Sequence, residues 1–522
     1  MRMDEKVKVA LPEKGIVRIK SKERTYIYYT TRAYRNANGK PTSDRVMIGK
    51  LDEESGQLIP NRNYFEVYLK TSLEYYGDVK SCGLHRVFSG VAKQIGLEKL
   101  VKAHFPEKYE EILTMAEYML SEGNVMNYLP DWQEEHRSYS KNKLNDTEIS
   151  RIFQNLPYSN RQAFFSDWIR KRKENEYIAY DVTSISSYSR KMESLEWGYN
   201  RDKEQLPQIN LAMYYGEESM LPLYYRIYPG SITDKSHLKY MTEEHGLFLP
   251  KKLNFVVDRG FYSAENLQIL TQRGCRFMIA MPNSLKLAAE LIDRHRSEIV
   301  NRSECRLGPN LPYGKKFEST TYGFRMNVHL YYSPEKALKE CENFYAVLDK
   351  QQNELQEMEL APAKEQRYEK YFHIYREKDG SFRYERNFEA IDAALSRMGF
   401  FIIAETCFKK TTAEVLETYR RRDVVEKCFD NLKNDLDMKR LHTHSDETTD
   451  GKAFVAFIAL TVLSKIRVGL KPLLQSGLTY KRFLLELQKI KVLNLCGEDK
   501  PLTPLTRLQR DILQSLELPS DV

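Results

Sequence analysis

The sequence predicts an α/β protein. A core of short buried strands and helices is interrupted by a mixed insertion, preceded by a β-hairpin and helical N-terminal region, and followed by a helical C-terminal tail. Three observations carry this reading. Short, almost wholly apolar runs such as NFVVDRGF and CRFMIAMP have the pattern of strands buried on both faces. A composition of 41% hydrophobic and 30% charged residues over 522 positions supports several cores and excludes a wholly disordered chain. The texture of the sequence changes near residue 176 and again over 284–397, which marks where one kind of module gives way to another.

In chain order, residues 15–75 contain RTYIYYTTRAYR and SDRVMIGKL, both rich in β-branched and aromatic residues and read as strands. The cluster Asn36-Ala37-Asn38-Gly39-Lys40 between them predicts a turn, with Gly39 available for positive φ. Arg24, Arg32, Arg35, Lys40 and Arg45 decorate this hairpin. Residues 84–175 turn helical: VFSGVAKQIGLEKLVKAHF predicts two short helices around Gly96, and TEISRIFQNL predicts another. From residue 176, EYIAYDVTSIS, QINLAMYY and LPLYYRIYPG read as strands, the last two separated by Gly216-Glu217-Glu218. SHLKYMTEEHG reads as a helix, and so does SAENLQILTQRG, with Ser263 as N-cap and Gly274 as stop. GFFIIAET, at 399–406, is a strand like CRFMIAMP but lies more than a hundred residues later. The stretch between, 284–397, holds the strand-like FRMNVHLYY and YEKYFHIYRE and a long polar helix from about Pro334 to Leu360, and reads as an insertion domain. Thr411 or Thr412 then caps a long helix running to about Lys439, and an apolar helical tail follows.

The 81 Lys and Arg outnumber the 73 Asp and Glu to leave a net charge of +8. Residues 1–50 hold thirteen of the former and five of the latter, so the whole net charge sits in the N-terminal arm. A basic arm on a neutral body points to a polyanion such as nucleic acid, with a solvated tail as the bland alternative. Seven scattered cysteines without a C-x-x-C pair argue against a disulfide framework and a zinc ribbon. His442 and His444 have no second pair nearby and read as a solvated loop. The longest apolar run, Ala453 to Leu463, reaches about half the length of a membrane span and is flanked by Lys452 and Lys465, which predicts a buried core helix. The opening MRMDEKVKVA lacks the apolar region of a secretory signal, so the expectation is a cytoplasmic protein with no membrane contact. Neither a G-x-x-x-x-G-K-[ST] nor a G-x-G-x-x-G motif is present, which argues against a nucleotide-driven enzyme.

Three acidic residues stand where an RNase H-like nuclease needs them. Asp181 is expected to end the first core strand, Asp258 to end NFVVD, and Glu426 to lie on the long helix after the last strand. Phosphodiester cleavage uses two divalent ions about 3.5–4 Å apart to activate the attacking oxygen and stabilise the leaving one. Hard ions such as Mg²⁺ favour the oxygen ligands that carboxylates supply. Singly, Asp181 and Asp258 also fit strand-ending turns. The helix ETYRRRDVVEKCFDNLKNDL is more specific. At about 100° per residue, Tyr419, Arg422, Glu426 and Lys433 fall in one stripe about 60° wide, beside an apolar face of Val424, Val425, Cys428, Phe429, Leu432 and Leu436. A carboxylate framed by cations and a phenol suits a metal-bound phosphodiester whose neighbouring phosphates need partners. A solvated face with an i,i+4 pair between Arg422 and Glu426 is the alternative.

With its spacing Y-x-x-R-x-x-x-E-x-x-x-x-x-x-K, this stripe resembles the YREK signature of DDE transposases from bacterial insertion sequences. The likeness extends to YDVTSI, VVDRGFYSAENL, RVMIGKLD and the apolar helix after the signature, and so spans most of the chain in a consistent order. It implies an RNase H-like catalytic core, with Asp181, Asp258 and Glu426 as catalytic residues and ligands of two Mg²⁺ ions, for which Mn²⁺ substitutes. It also implies that Tyr419, Arg422 and Lys433 contact DNA, and the charge of the basic hairpin makes Arg24, Arg32, Arg35, Lys40 and Arg45 further expected DNA contacts. The changes in texture along the chain divide it into a basic β-module (1–80), a helical domain expected to recognise DNA ends (81–175), a first core part (176–283), an insertion (284–397), a second core part (398–470) and a helical tail (471–522). The family's insertion is usually β-rich, whereas this one mixes strands with a long helix. The implied activity is metal-dependent cleavage at insertion-sequence ends and strand transfer into target DNA by cut-and-paste. Its partners would be double-stranded terminal repeats and target DNA, bound by a homodimer on paired ends and associated with the nucleoid. The alternatives are a DNA-binding descendant without chemistry and a nuclease that cuts without joining.

Overall fold

A computed structural model of the chain describes residues 7–21, 24–35, 39–70, 78–172, 177–233, 236, 238, 254–357, 367–377, 382–407, 409–495 and 498–520. Its contacts divide it into two units, one comprising Met1–Gly90, Pro130–Lys141 and Leu470–Val522, the other Val91–Leu129 and Asn142–Gly469.

In the first unit, β1 (Ile16–Ser21), β2 (Arg24–Arg35), β3 (Pro41–Leu51) and β4 (Leu58–Pro60) form an antiparallel sheet in sequence order. Alternation along β2 and β3 turns Ile27 and Ile48 inward, where Leu58, Tyr64 and Phe65 complete a small core. Arg24, Arg32, Arg35, Lys40 and Arg45 are all exposed on this sheet. The turn residues 36–38 lie outside the described residues, while Gly39 has a φ of 73°, as the turn reading requires. β5 (Asp78–Ser81) belongs to a second, three-stranded sheet of this unit.

The second unit is organised by an eight-stranded mixed sheet. Its strands are β6 (Tyr177–Ser186), β7 (Gln208–Gly216), β8 (Pro222–Pro229), β9 (Asn254–Val257), β10 (Arg276–Met281), β11 (Tyr313–Thr321), β12 (Phe324–Tyr332) and β15 (Phe400–Glu405), in the order β11-β12-β15-β10-β9-β6-β7-β8. β9 runs parallel to both β6 and β10, and the other neighbours are antiparallel. Phe255, Val256 and Val257 are fully buried, which accounts for the absence of alternation in NFVV. Within 284–397, β11 and β12 join the edge of this same sheet, whereas the helix Pro334–Gln356 packs on a separate hairpin of β13 (Phe372–Arg376) and β14 (Phe382–Arg386). Ser263 caps the helix Ala264–Gln272, and Gly274 at a φ of 72° ends it. The helix expected over SHLKYMTEEHG falls almost wholly outside the described residues.

The run Ala453 to Leu463 is buried throughout, within the helix Asp446–Gly469. Among the described residues, no helix is long and apolar enough to cross a membrane. Six cysteines are free thiols, and Cys496 lies outside the described residues. Back in the first unit, β16 (Lys491–Leu495) pairs with β5 and with β17 (Glu498–Pro501), so the tail contains strands as well as helices.

Two local expectations are corrected. Asp181 does not end its strand: β6 continues five residues further to Ser186, because β7 stays paired with it along that whole length. Nor is there one helix from Thr411 to Lys439. Thr411 does cap Thr412–Arg420, in a capping box with Glu414, but a second helix runs over Asp423–Asp430 and a π-helical turn over Asn431–Asp435. At the first junction the amides of Arg422, Val424 and Val425 bond three residues back, and at the second Leu436 N–H bonds five back to Asn431. Each change of hydrogen-bond step rotates the following residues relative to a uniform helix, so a single 100° wheel does not describe this segment.

Candidate active site

The parallel register of β6 and β9 brings the two aspartates together. Tyr180 pairs with Val257, so Asp181 follows the last paired residue of β6 and Asp258 follows the end of β9, near enough for the charge of one to act on the other. The helix Asp423–Asp430 packs on β6 and β7, burying Val425, Cys428 and Phe429, and so carries the signature helix to the same region of the sheet.

Arg422, at the junction before that helix, bridges two of the three carboxylates. Its Nη1 lies 2.5 Å from Asp258 Oδ1, and its Nη2 lies 3.1 Å from Glu426 Oε1. Tyr419 closes the cluster: its hydroxyl donates to Asp258 Oδ1 at 3.4 Å, and the guanidinium stands 5.1 Å from its ring centroid. Burial pushes the Asp258 carboxyl up, but the Arg422 guanidinium outweighs it and holds the group below the usual carboxylate range. Burial also raises the Tyr419 phenol, against the pull of Arg422. The Nε–H of Arg422 is buried with no hydrogen-bond partner.

Asp181 is served by a residue that sequence reasoning missed. Arg201, in the β6–β7 loop, reaches Asp181 Oδ1 and Oδ2 through Nη1 at 3.2 and 3.4 Å, and its Nη2 reaches Oδ1 at 3.3 Å. The Val182 N–H donates to Oδ1 at 2.8 Å. Burial raises the Asp181 carboxyl, the guanidinium and the amide oppose it, and the negative charge of Asp258 adds to the rise. The only local signal for Arg201 is a charged run, RDKE, between two apolar strands.

Lys433 pairs with an acid outside the predicted triad. It lies in the π-helical turn, almost buried, with Nζ 2.5 Å from Asp202 Oδ2. Two residues further along the same loop, Glu204 pairs with Arg440. On the hairpin of the first unit, Arg32 lies over the Tyr34 ring, Arg35 donates to Gly39 O, and Arg45 donates to Ser43 Oγ.

Asp181, Asp258 and Glu426 thus offer only oxygen donors, two of them on neighbouring segments of the sheet and the third tied to Asp258 through one guanidinium. That donor chemistry fits a hard divalent cation. Among the described residues no three His, Cys, Asp or Glu side chains are grouped tightly enough to hold a metal ion. Guanidinium groups neutralise the carboxylates instead.

A family model described as "Transposase DDE domain" matches residues 172–462. No curated protein matches the chain. Among solved structures, a piggyBac transposase synaptic complex with hairpin DNA matches at 9% identity and a TM-score of 0.36, covering 84% of this chain and 83% of that chain. A likeness at that score is too weak to define the fold.

Proposed function

The chain belongs to the transposase DDE domain family, and from that premise we propose that it cleaves the ends of an insertion sequence and transfers the freed strand into target DNA by cut-and-paste. The observation that carries this reading is the gathering of Asp258, Arg422 and Glu426 just past the end of β9, with Asp181 midway along the neighbouring strand β6. The antiparallel meander β6-β7-β8, followed by β9 and β10 parallel to β6, supports an RNase H-like core. The Tyr419, Arg422, Glu426 and Lys433 spacing supports the bacterial YREK group.

Asp181, Asp258 and Glu426 would hold two Mg²⁺ or Mn²⁺ ions, which when bound lower the pKa of water and stabilise the leaving oxygen. Carboxylate placement then falls to the protein. Arg201 orients Asp181, and the register of β6 and β9 sets it near Asp258. In the cleavage step a water oxygen bonds to phosphorus and the bond to the 3′ oxygen breaks, leaving a 3′-hydroxyl and a 5′-phosphate. In the joining step that 3′-hydroxyl attacks a target phosphodiester, and one P–O bond replaces another. Arg422 and Tyr419 would move from the carboxylates to the DNA phosphates. The unmet Nε of Arg422 is a donor suited to that role. Lys433 would reach DNA only by leaving Asp202.

The exposed arginines of β2 and β3 supply the charge for terminal-repeat binding, and two chains would hold a pair of ends. Cleavage of end-bearing DNA by the full chain should require Mg²⁺ or Mn²⁺ and stop in EDTA, whereas Ca²⁺ should permit assembly with little turnover. Full cleavage in chelator would defeat the proposal.

A further inference from the structure

The β6–β7 loop presents more aromatic surface to solvent than its own folding requires. Tyr188 is 72% exposed, Trp197 68% and Tyr199 84%. Exposed tyrosines are ordinary, but a largely exposed tryptophan is not, since this side chain is highly buried on average. Trp132 and Trp168, the other two tryptophans, are buried.

The exposure does not come from a loose loop. Glu196 and Gln208 exchange both backbone hydrogen bonds, at 3.1 and 3.0 Å. Gln208 Nε2 donates to Tyr199 O at 3.0 Å, Asn200 Nδ2 to Ser186 Oγ at 3.0 Å, and Arg201 N to Ser184 Oγ at 3.1 Å. Gly198, between the two rings, lies against Gly230 so closely that a Cβ there would stand 1.9 Å from the Gly230 carbonyl oxygen. The backbone is therefore fixed on both sides of Trp197 and Tyr199 while the rings face water.

The loop also leads directly to the carboxylates. Arg201, whose guanidinium clasps Asp181, is two residues from Tyr199 and four from Trp197. At ~3.5 Å per residue, that places the Trp197 backbone within about 14 Å of the Arg201 backbone. Two acidic residues of the loop are neutralised, Asp202 by Lys433 and Glu204 by Arg440. Arg190 and Lys191 are exposed, and Arg440 lies 5.2 Å from the Tyr188 ring centroid.

We propose that Trp197 and Tyr199, with Tyr188 at the margin, form a stacking platform for unpaired bases of a nucleic-acid strand held beside the carboxylates. This rests on the reading of the chain as a DNA-processing enzyme and extends it with a base-contacting surface. Flat rings on a fixed backbone stack any base without losing much conformational freedom, and nearby cations follow the phosphates.

The test uses tryptophan emission from the full chain, titrated with a 16-nucleotide oligothymidine and with a blunt 16-base-pair duplex. The single strand should quench the emission, the duplex should quench it far less, and Trp197→Phe should remove most of the response. Trp197→Ala and Tyr199→Ala should each weaken oligothymidine binding by about 5- to 150-fold, the range of one lost stack. Equal quenching in Trp197→Phe, unchanged affinity in both alanine variants, or an emission change that tracks protein concentration without DNA would overturn the proposal. The last outcome would identify the rings as a contact between copies of the chain. A chain that binds oligothymidine through these rings but cuts no DNA would leave the platform standing and remove the cleavage reading. A chain that cuts while Trp197 stays silent would do the reverse.

Discussion

Replacing Lys452 with methionine should change the stability of the second unit by an amount that depends on pH. Lys452 sits in the helix Asp446–Gly469, 2% exposed, with Nζ donating to Asn124 Oδ1 at 2.7 Å and to Leu441 O at 2.8 Å. A neutral amine has two hydrogens, and these two acceptors use both. Burial lowers its pKa from 10.5 to about 7, with Asp437 opposing the shift weakly. At ~1.4 kcal/mol per unit, the buried charge costs on the order of 5 kcal/mol when the site is protonated. Between pH 7 and 10.5 the unfolded chain binds more protons at this site than the folded one, so its contribution to stability rises with pH across that window and is flat below it. Methionine removes that dependence, but strands the Asn124 and Leu441 oxygens at roughly 1–3 kcal/mol each. Lys452→Met should therefore be near neutral at pH 6, where relief of the charge offsets the lost bonds, and destabilised by about 1–5 kcal/mol at pH 9.5, where holding the site neutral still costs the native chain about 1 kcal/mol. Urea unfolding followed by tryptophan emission, as the difference between variant and wild type at each pH, cancels groups common to both. A difference that stays constant from pH 6 to 9.5 would refute a neutral buried lysine.

Three further outcomes follow from the same contacts. Gly451→Ala should destabilise the second unit by about 3 kcal/mol in thermal unfolding, because its Cβ would stand 2.1 Å from the Phe153 backbone oxygen, which cannot swing aside; an unchanged melting temperature would contradict that packing. Arg422→Ala should cost only about 1 kcal/mol of stability, since Asp258 and Glu426 remain substantially exposed to water, yet lower the slope of log K against log salt for DNA binding by roughly 0.9 for one lost phosphate contact. Replacing Arg24, Arg32, Arg35 and Arg45 together by alanine should flatten that slope by up to roughly 3.6 without unfolding the hairpin, whose core is Ile27, Ile48 and Leu58; an unchanged slope would return these arginines to a solvated face.

The elements most legible in the sequence were those whose signals are local. NFVV and FMIAM are short apolar strands because both faces are covered, and Ser263, Gly274, Thr411 and Gly39 act where their backbone chemistry places them. The clustering of Tyr419, Arg422 and Glu426 follows from i,i+3 and i,i+4 spacing, which a short helical segment preserves. Lys433 lies within a π-helical turn, and a uniform wheel carries no information about a change of hydrogen-bond step. Arg201 and Asp202 were invisible because their partners, Asp181 and Lys433, are 20 and 231 residues away. The joining of β12 to β15 was equally hidden. It buries Asn327, His329 and Glu405 completely in a polar cluster, and those residue types read in sequence as surface.

The proposed activity depends most on three carboxylates acting as one site. The direct measurement is Mg²⁺-dependent cleavage of DNA carrying the element's ends by the full chain, beside Asp181→Asn, Asp258→Asn and Glu426→Gln, with DNA binding measured in parallel. These changes keep side-chain volume and remove a charge that binds metal. Each variant should lose cleavage by several orders of magnitude while still binding DNA. Near-normal cleavage by any one of them would remove that residue from the site and contradict the triad.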